Sequence, residues 1–153
     1  MKTSSGAKHS SPREELVFFL DRSLGRETIA TKLRDAGLHV KIHDDFFAKN
    51  ARDDYWIPIV GKKNWLILTK DQKLRYRATE KYAVFHGGAK VFTLSSGNLT
   101  AEQMAEIFIK AVPRIEKIAA KEMPPFIAKI YSSGIVHVWV PRKQLMEEFK
   151  KYS

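Results

Sequence analysis

The stretch WLILTKDQKLRYR, Trp65–Arg77, begins apolar and ends cationic. Its first part, Trp65–Thr69, is the kind of apolar run that is typical of a strand covered on both faces of a sheet. One carboxylate, Asp71, follows after a single lysine, and every later charge in the stretch is positive. The sequence therefore places an acidic group at the end of a buried strand and surrounds it with cations.

The flanking segments predict alternating strands and helices. A second apolar run, Leu16–Leu20, also ends at an aspartate, Asp21. The other predicted strands are 38–42, 89–94 and a hairpin around Ser133 and Gly134. Three helices are predicted at about 25–36, 53–63 and 79–86. A fourth begins at a Thr100–Gln103 capping box and runs to about 121, with an interruption at Pro113.

This alternation is typical of an α/β domain with a central parallel sheet. Such sheets bind ligands at the carboxyl ends of their strands, so Asp21 and Asp71 should project into one crevice. Asp53 and Asp54 open the helix that leads into the Asp71 strand, and they could reach the same rim.

Composition limits the function classes. The chain has 153 residues, 44% of them hydrophobic, which suits one globular domain. Its 27 Lys plus Arg against 17 Asp plus Glu give a net charge of +10, which favours a polyanionic partner but equally fits a merely basic protein. Cysteine is absent, which excludes disulfides and thiolate sites, and no apolar run is long enough to span a membrane.

We expect three regions along the chain: a flexible N-terminal arm at 1–14, a folded domain at 15–140, and a charged C-terminal helix or tail at 141–153. The N-terminus lacks the apolar core of a signal peptide, so a cytoplasmic location is the default expectation.

Carboxylates that converge from separate elements repel one another unless a cation lies between them. Mg²⁺ and Mn²⁺ prefer oxygen ligands, and such a site can activate water for attack on a phosphodiester. The alternatives are structural: a helix cap is favoured for Asp53 or Asp54 taken singly, and a solvated turn for Asp44. His43, beside Asp44, is expected to be a surface histidine rather than a base.

A family resemblance joins these segments. The motifs FLDRSLG, HDDFF, DDYWIPIVGKKNWLILTKDQKLRYR and FTLSSGNLT resemble the PIN-like superfamily, specifically the short, VapC-like proteins of bacterial toxin–antitoxin loci, over about 16–130. The resemblance implies a three-layer fold, with a mostly parallel sheet flanked by helices, and metal-dependent ribonuclease activity. It implies that Asp21, Asp53 and Asp71 are catalytic and bind metal, with Asp54 as a further ligand.

Two positions depart from the family pattern. Many relatives have an additional acid where this chain has Arg22, and another where it has Lys73. The site would then hold one metal ion rather than two, or be completed by Asp44 or Asn98.

The sequence thus predicts a Mg²⁺- or Mn²⁺-dependent endoribonuclease, the toxin of a toxin–antitoxin pair, that leaves a 5′ phosphate and a 3′ hydroxyl. Its expected partners are RNA and a cognate antitoxin, with a homodimer also possible. The residues expected to bind nucleic acid are Lys70, Lys73, Arg75, Arg77 and Arg22. The alternative is a PIN-like module that binds nucleic acid or protein without turnover, and a DNA-directed nuclease is a weaker third.

Overall fold

A six-stranded sheet runs through the part of the chain that the computed structural model describes, residues 16–95 and 97–152. The predicted arm at 1–14 lies outside these residues. The strands are β1 (Val17–Leu20), β2 (His39–Ile42), β3 (Leu66–Thr69), β4 (Lys90–Ser95), β5 (Phe126–Tyr131) and β6 (Val136–Val140). Their order is β2-β1-β3-β4-β5-β6, with β1 to β5 parallel and β6 antiparallel to β5.

Five α-helices cover the two faces of this sheet. They are α1 (Thr28–Asp35), α2 (Asp53–Lys62), α3 (Ala78–Gly87), α4 (Ala101–Lys121) and α5 (Arg142–Phe149). Helices α1 and α4 lie on one face, and α2, α3 and α5 lie on the other. The predicted three-layer α/β architecture with a mostly parallel sheet is confirmed.

Burial on both faces explains the continuous apolar runs. In β1, Phe18 packs into the core under α1 and α4, while its neighbour Phe19 packs into the core under α2 and α3, and both are fully buried. A parallel strand in the middle of three layers has no solvent face, so the alternation of apolar and polar residues disappears.

Helix α4 differs from its prediction. It is one continuous helix of 21 residues, with Pro113 inside it, rather than a helix interrupted there. Pro113 is exposed, so its ring lies on the solvent side of the helix and takes no space in the core. The predicted start is confirmed: Thr100 and Gln103 form a capping box, with bonds of 3.1 and 2.9 Å.

Helices α2 and α3 approach each other closely through two glycines. A Cβ atom on Gly61 would lie 2.6 Å from the carbonyl oxygen of Gly87, and one on Gly87 would lie 2.4 Å from Cα of Pro58. Real Cβ atoms do not come this close to backbone, so a larger residue would force the helices apart. This contact sets the distance between the acids carried by the two helices.

No helix in the described ranges is both long enough and apolar enough to cross a bilayer.

Candidate active site

The acidic residues meet where the strand order reverses. The chain passes from β1 outward to β2, then back across β1 to β3, so the connections after β1 and β3 leave the sheet on opposite sides. In open α/β sheets, the crevice at such a switch point, at the carboxyl ends of the strands, is where ligands bind. Asp21 is the first residue after β1, and Asp71 is the second residue after β3.

Asp21 is held in one orientation by its neighbours. The residue is 9% exposed, and its backbone N–H donates to the carbonyl oxygen of Leu68 at 2.9 Å. Its Oδ2 accepts a 2.6 Å hydrogen bond from Oγ1 of Thr69 and a 3.0 Å bond from Oγ of Ser23. Two hydroxyl donors on one oxygen fix the carboxylate before any ligand arrives.

Thr69 also connects Asp21 to Asp71. Its Oγ1 accepts a 3.0 Å hydrogen bond from the backbone N–H of Asp71 while it donates to Asp21. Oδ1 of Asp71 in turn accepts from the backbone N–H of Lys73 at 2.9 Å. The fully buried Thr69 is therefore a positioning residue that the sequence prediction missed; a hydroxyl at the end of the run LILT was its only signal.

Asp53 reaches the same place from the first turn of α2. Its Oδ1 accepts a 3.0 Å hydrogen bond from Nε1 of the buried Trp56. Burial raises the pKa of Asp53, and the charge of Asp21 raises it further. The hydrogen bond from Trp56 lowers the pKa and so opposes this rise. The charge of Asp71 raises the pKa by a smaller amount. The three predicted acids therefore share one electrostatic environment.

The structural alternative for the two acids of α2 was a helix cap. The N-cap position is occupied by Arg52, and no side chain forms a cap hydrogen bond there. Asp53 instead accepts a hydrogen bond from Trp56, while Asp54 accepts two hydrogen bonds from Arg52, at 3.0 and 3.2 Å. This pairing lowers the pKa of Asp54, so two consecutive aspartates have opposite environments.

Glu80 is a further acid that the sequence analysis did not select. It lies in the first turn of α3 and contributes to the raised pKa of Asp53. Its Oε1 is buried and has no hydrogen-bond partner among the described residues. A buried carboxylate oxygen without a donor is costly, and it marks a place where a cation or water would be stabilised.

The donor set suits a hard divalent cation in its chemistry. It consists of carboxylate oxygens, with the unpartnered oxygen of Glu80 at its edge, and the charges of the neighbouring acids raise the pKa of Asp53. Within the described residues, no three acidic or histidine side chains are close enough to hold a metal by themselves. A cation would therefore need water ligands as well, which is ordinary for Mg²⁺.

Asp44, proposed to complete the site, belongs to a separate cluster. Its side chain is 8% exposed and lies 3.1 Å from Nδ1 of His43, 3.4 Å from Nε of Arg22 and 3.7 Å from Nε of Arg26. The hydrogen bond from His43 lowers the pKa of Asp44 against the effect of burial, and the two arginines add to this. The expectation that His43 is a surface residue is wrong: it is 2% exposed and packs edge-on against Trp56.

Asn98 and most of the predicted cations are exposed. Asn98 lines a cavity of about 360 Å³ together with Lys70 and Met104, beside the start of α4. Lys70, Lys73 and Arg77 are exposed, and Arg22 is half-exposed beside Asp44. These positions suit contact with a charged ligand outside the pocket, and their assignment to nucleic acid stays a prediction.

Comparison with known proteins agrees with this geometry. The sequence profile of the PIN-like domain family matches residues 16–96, which include β1 to β4 and every acid described above. The chain belongs to the PIN-like family. Over 124 residues, it is 32% identical to VapC45 of Mycobacterium tuberculosis, a protein that is provisionally named a ribonuclease. That match covers 78% of this chain and 89% of the relative, so this PIN-like protein is of the VapC type. No solved structure gives a significant match to it.

Proposed function

We propose that the protein is a metal-dependent endoribonuclease and acts as the toxin of a toxin–antitoxin pair in the cytoplasm. The observation that supports the proposal is that Thr69 links Asp21 to Asp71 by hydrogen bonds and that the charges of both acids raise the pKa of Asp53. None of the three forms an ion pair with a described residue, although the chain has an excess of ten cations. A charge cluster left without an internal counterion is a functional-site candidate.

Membership of the PIN-like family supports this proposal, as does the likeness to VapC45. The name of that relative supports RNA as the substrate class and, through the VapC type, an antitoxin protein as the partner.

The residue roles follow from the contacts. Asp21, Asp53 and Asp71 would hold Mg²⁺ or Mn²⁺, with Glu80 at the edge of the same site. When bound, the divalent cation supplies positive charge at the phosphate and a water of lowered pKa. Thr69, Ser23 and Trp56 keep the carboxylates oriented, so little reorganisation is needed when the cation binds.

The raised pKa of Asp53 couples its protonation to cation binding. Burial and the charge of Asp21 raise this pKa, so the carboxyl group keeps a proton to a higher pH than an ordinary aspartate does. A bound cation would favour the ionised form and would lower the pKa of Asp53. The exposed Lys70, Lys73 and Arg77 then lie where they can hold the phosphates of the substrate.

The direct test is cleavage of end-labelled RNA in Mg²⁺ or Mn²⁺, with the wild type compared to Asp21→Asn and Asp71→Asn. We expect cleavage by the wild type only, with loss of activity in a chelator and a 5′ phosphate on the downstream product. A wild type that binds RNA and never cuts it, whichever cation is present, would disprove the nuclease assignment. Cleavage by both variants at the wild-type rate would disprove the assignment of the site.

A second candidate is a PIN-like module that binds nucleic acid without turnover. It is favoured by Arg22 and Lys73, two cations at positions where many family members have an acid. Arg22 moreover forms an ion pair with Asp44. Glu80 argues against it, because it brings a further carboxylate to the pocket from α3. The same cleavage assay separates the two candidates, and a labelled DNA substrate tests the DNA-directed alternative.

A further inference from the structure

A row of polar side chains crosses the sheet from the acidic pocket toward β6. Register pairs Thr69 with Thr93, Thr93 with Lys129, and Lys129 with His137, and Asp21 begins the row through its bond to Thr69. Paired residues on adjacent strands point to the same face of a sheet. Lys129 therefore lies on the face that carries the acids, three strands and roughly 14 Å from Asp21.

The far end of the row carries two cations that share one indole ring. Nζ of Lys129 lies 4.5 Å from the ring centroid of Trp139 and 4.4 Å from that of Tyr131. Cζ of Arg75, from the turn after β3, lies 3.7 Å from the Trp139 centroid and 4.5 Å from that of Tyr76. Aromatic faces attract cations, so the rings hold both positive charges in place. We call Arg75, Lys129 and Trp139 the cation row.

The charge of the cation row is not neutralised by the described part of the protein. Neither Arg75 nor Lys129 forms an ion pair with a described residue. Nε of Arg75 is moreover buried without a hydrogen-bond partner among these residues. Nη2 of Arg75 donates to Oη of Tyr76, a neutral acceptor, so the charge of this half-buried side chain is left for an anionic ligand to balance.

The ligand that fits is a phosphate chain rather than a base. The cations occupy the Trp139 ring, which leaves it unsuited to stacking on a nucleobase. Tyr76 is 64% exposed, and because Arg75 lies over one face of its ring, only the opposite face could meet an unpaired base. Cations that follow the backbone, next to an aromatic side chain, are the pattern of single-strand binding.

We propose that Arg75 and Lys129, held by Trp139, bind the backbone phosphates of single-stranded RNA and direct the strand from the acidic pocket toward β6. The inference rests on the proposed ribonuclease function, because it gives the path of that enzyme's substrate. It adds Lys129 and Trp139 to the interface, and it distinguishes the half-buried Arg75 from the exposed cations Lys70, Lys73 and Arg77.

The test measures binding apart from cleavage. Asp21→Asn protein, as the parent, is titrated with fluorescent single-stranded RNA at several salt concentrations. Lys129→Gln and Arg75→Gln are then introduced separately into that parent. Each lost phosphate contact should weaken binding about fivefold at 0.1 M salt and reduce the slope of log K against log salt by about 0.7. Lys129→Arg, which keeps the charge, should restore most of the affinity.

Lys117→Gln is the matched control, because Lys117 is an exposed lysine of α4 on the opposite face of the sheet. It should leave affinity and slope unchanged. If Lys129→Gln and Arg75→Gln bind RNA as the parent does, the cation row is not an RNA site, whatever the wild type cleaves. If they lose affinity while the wild type never cuts RNA, the row stands and the nuclease assignment fails. Equal binding of duplex RNA would overturn the single-strand assignment.

Discussion

Six carboxylates among the described residues form two groups with opposite surroundings. Asp44, Asp54 and Glu148 each lie within 4 Å of a cationic side chain, whereas Asp21, Asp53 and Asp71 have hydroxyl, indole and backbone N–H donors instead. We call these the paired and the unpaired acids. Hydrogen-bond donors orient a carboxylate but leave its charge to be balanced from outside. The paired acids therefore serve the fold, and the unpaired acids remain available to a cation.

The adjacent residues Asp53 and Asp54 give the strongest test of this distinction. Asp53→Asn should reduce RNA cleavage about 10²-fold or more, because a metal ligand contributes several kcal/mol to the transition state. Asp54→Asn should change the rate by about twofold or less, since its carboxylate is bound to Arg52. The measurement is single-turnover cleavage at saturating Mn²⁺. Equal losses in both variants would remove the distinction at this helix.

Asp44 tests the paired group through stability. Asp44→Ala should lower the free energy of unfolding by about 1–2 kcal/mol, because it deprives the buried His43 of a partner and leaves two arginines facing each other. Asp45→Ala is the control: its side chain is exposed, and its effect should stay within about 0.5 kcal/mol. Denaturant titrations measure both. A loss no larger for Asp44 than for Asp45 would contradict the structural role.

The pH dependence of stability should have opposite signs at the two aspartates of α2. The raised pKa of Asp53 means that the folded state holds a proton that the unfolded state has released, so its contribution falls as pH rises above the ordinary aspartate range. The lowered pKa of Asp54 gives a contribution that is present above that range and is lost as pH falls.

The measurement is the free energy of unfolding of the wild type and of each Asn variant, in the presence of a chelator, from pH 3 to 7. The stability of Asp53→Asn relative to the wild type should increase with pH, and that of Asp54→Asn should decrease. Added Mg²⁺ should reverse the trend for Asp53 alone, because the cation stabilises the folded, ionised form. Parallel curves would show that Asp53 is not in the unpaired group.

The smallest effect is expected at the pair that joins α3 to α5. Nζ of Lys81 lies 2.9 Å from Oε1 of Glu148, whose side chain is 35% exposed. Glu148→Gln should therefore cost less than about 1 kcal/mol, and 0.5 M salt should remove most of that difference. Denaturant unfolding at two salt concentrations measures it. A larger loss of unfolding free energy that salt does not change would mean that this ion pair stabilises the packing of α3 against α5 more than a surface pair does.

The sequence predicts those elements that depend on a local pattern of apolar and polar residues. The runs before Asp21 and Asp71 identified two buried strands, and parallel topology then brought their ends together. Those two inferences needed only the strand order that the α/β alternation already favours. Asp53 and Asp54 both open the helix between the strands, where a cap was favoured for either one taken singly, and the choice of Asp53 came from the family resemblance.

The remaining features depend on tertiary contacts that have no local signature. Glu80 is part of the site because Gly61 and Gly87 let α2 and α3 approach closely. Lys129 and Trp139 join Arg75 only through the register of β5 with β4 and β6. Asp44 resembled the site acids in sequence, and only the positions of Arg22 and His43 reveal its different role.

The bond between Trp56 and Asp53 has a practical consequence. Trp56 is 2% exposed and donates its indole N–H directly to a proposed cation ligand. Its fluorescence should respond to any change in the charge of that carboxylate, including the arrival of a metal ion. Replacing Trp65 and Trp139 with phenylalanine would leave Trp56 as the single tryptophan, whose emission can be excited apart from that of the tyrosines. The protein would then report occupancy of its own centre optically, without a label and without RNA.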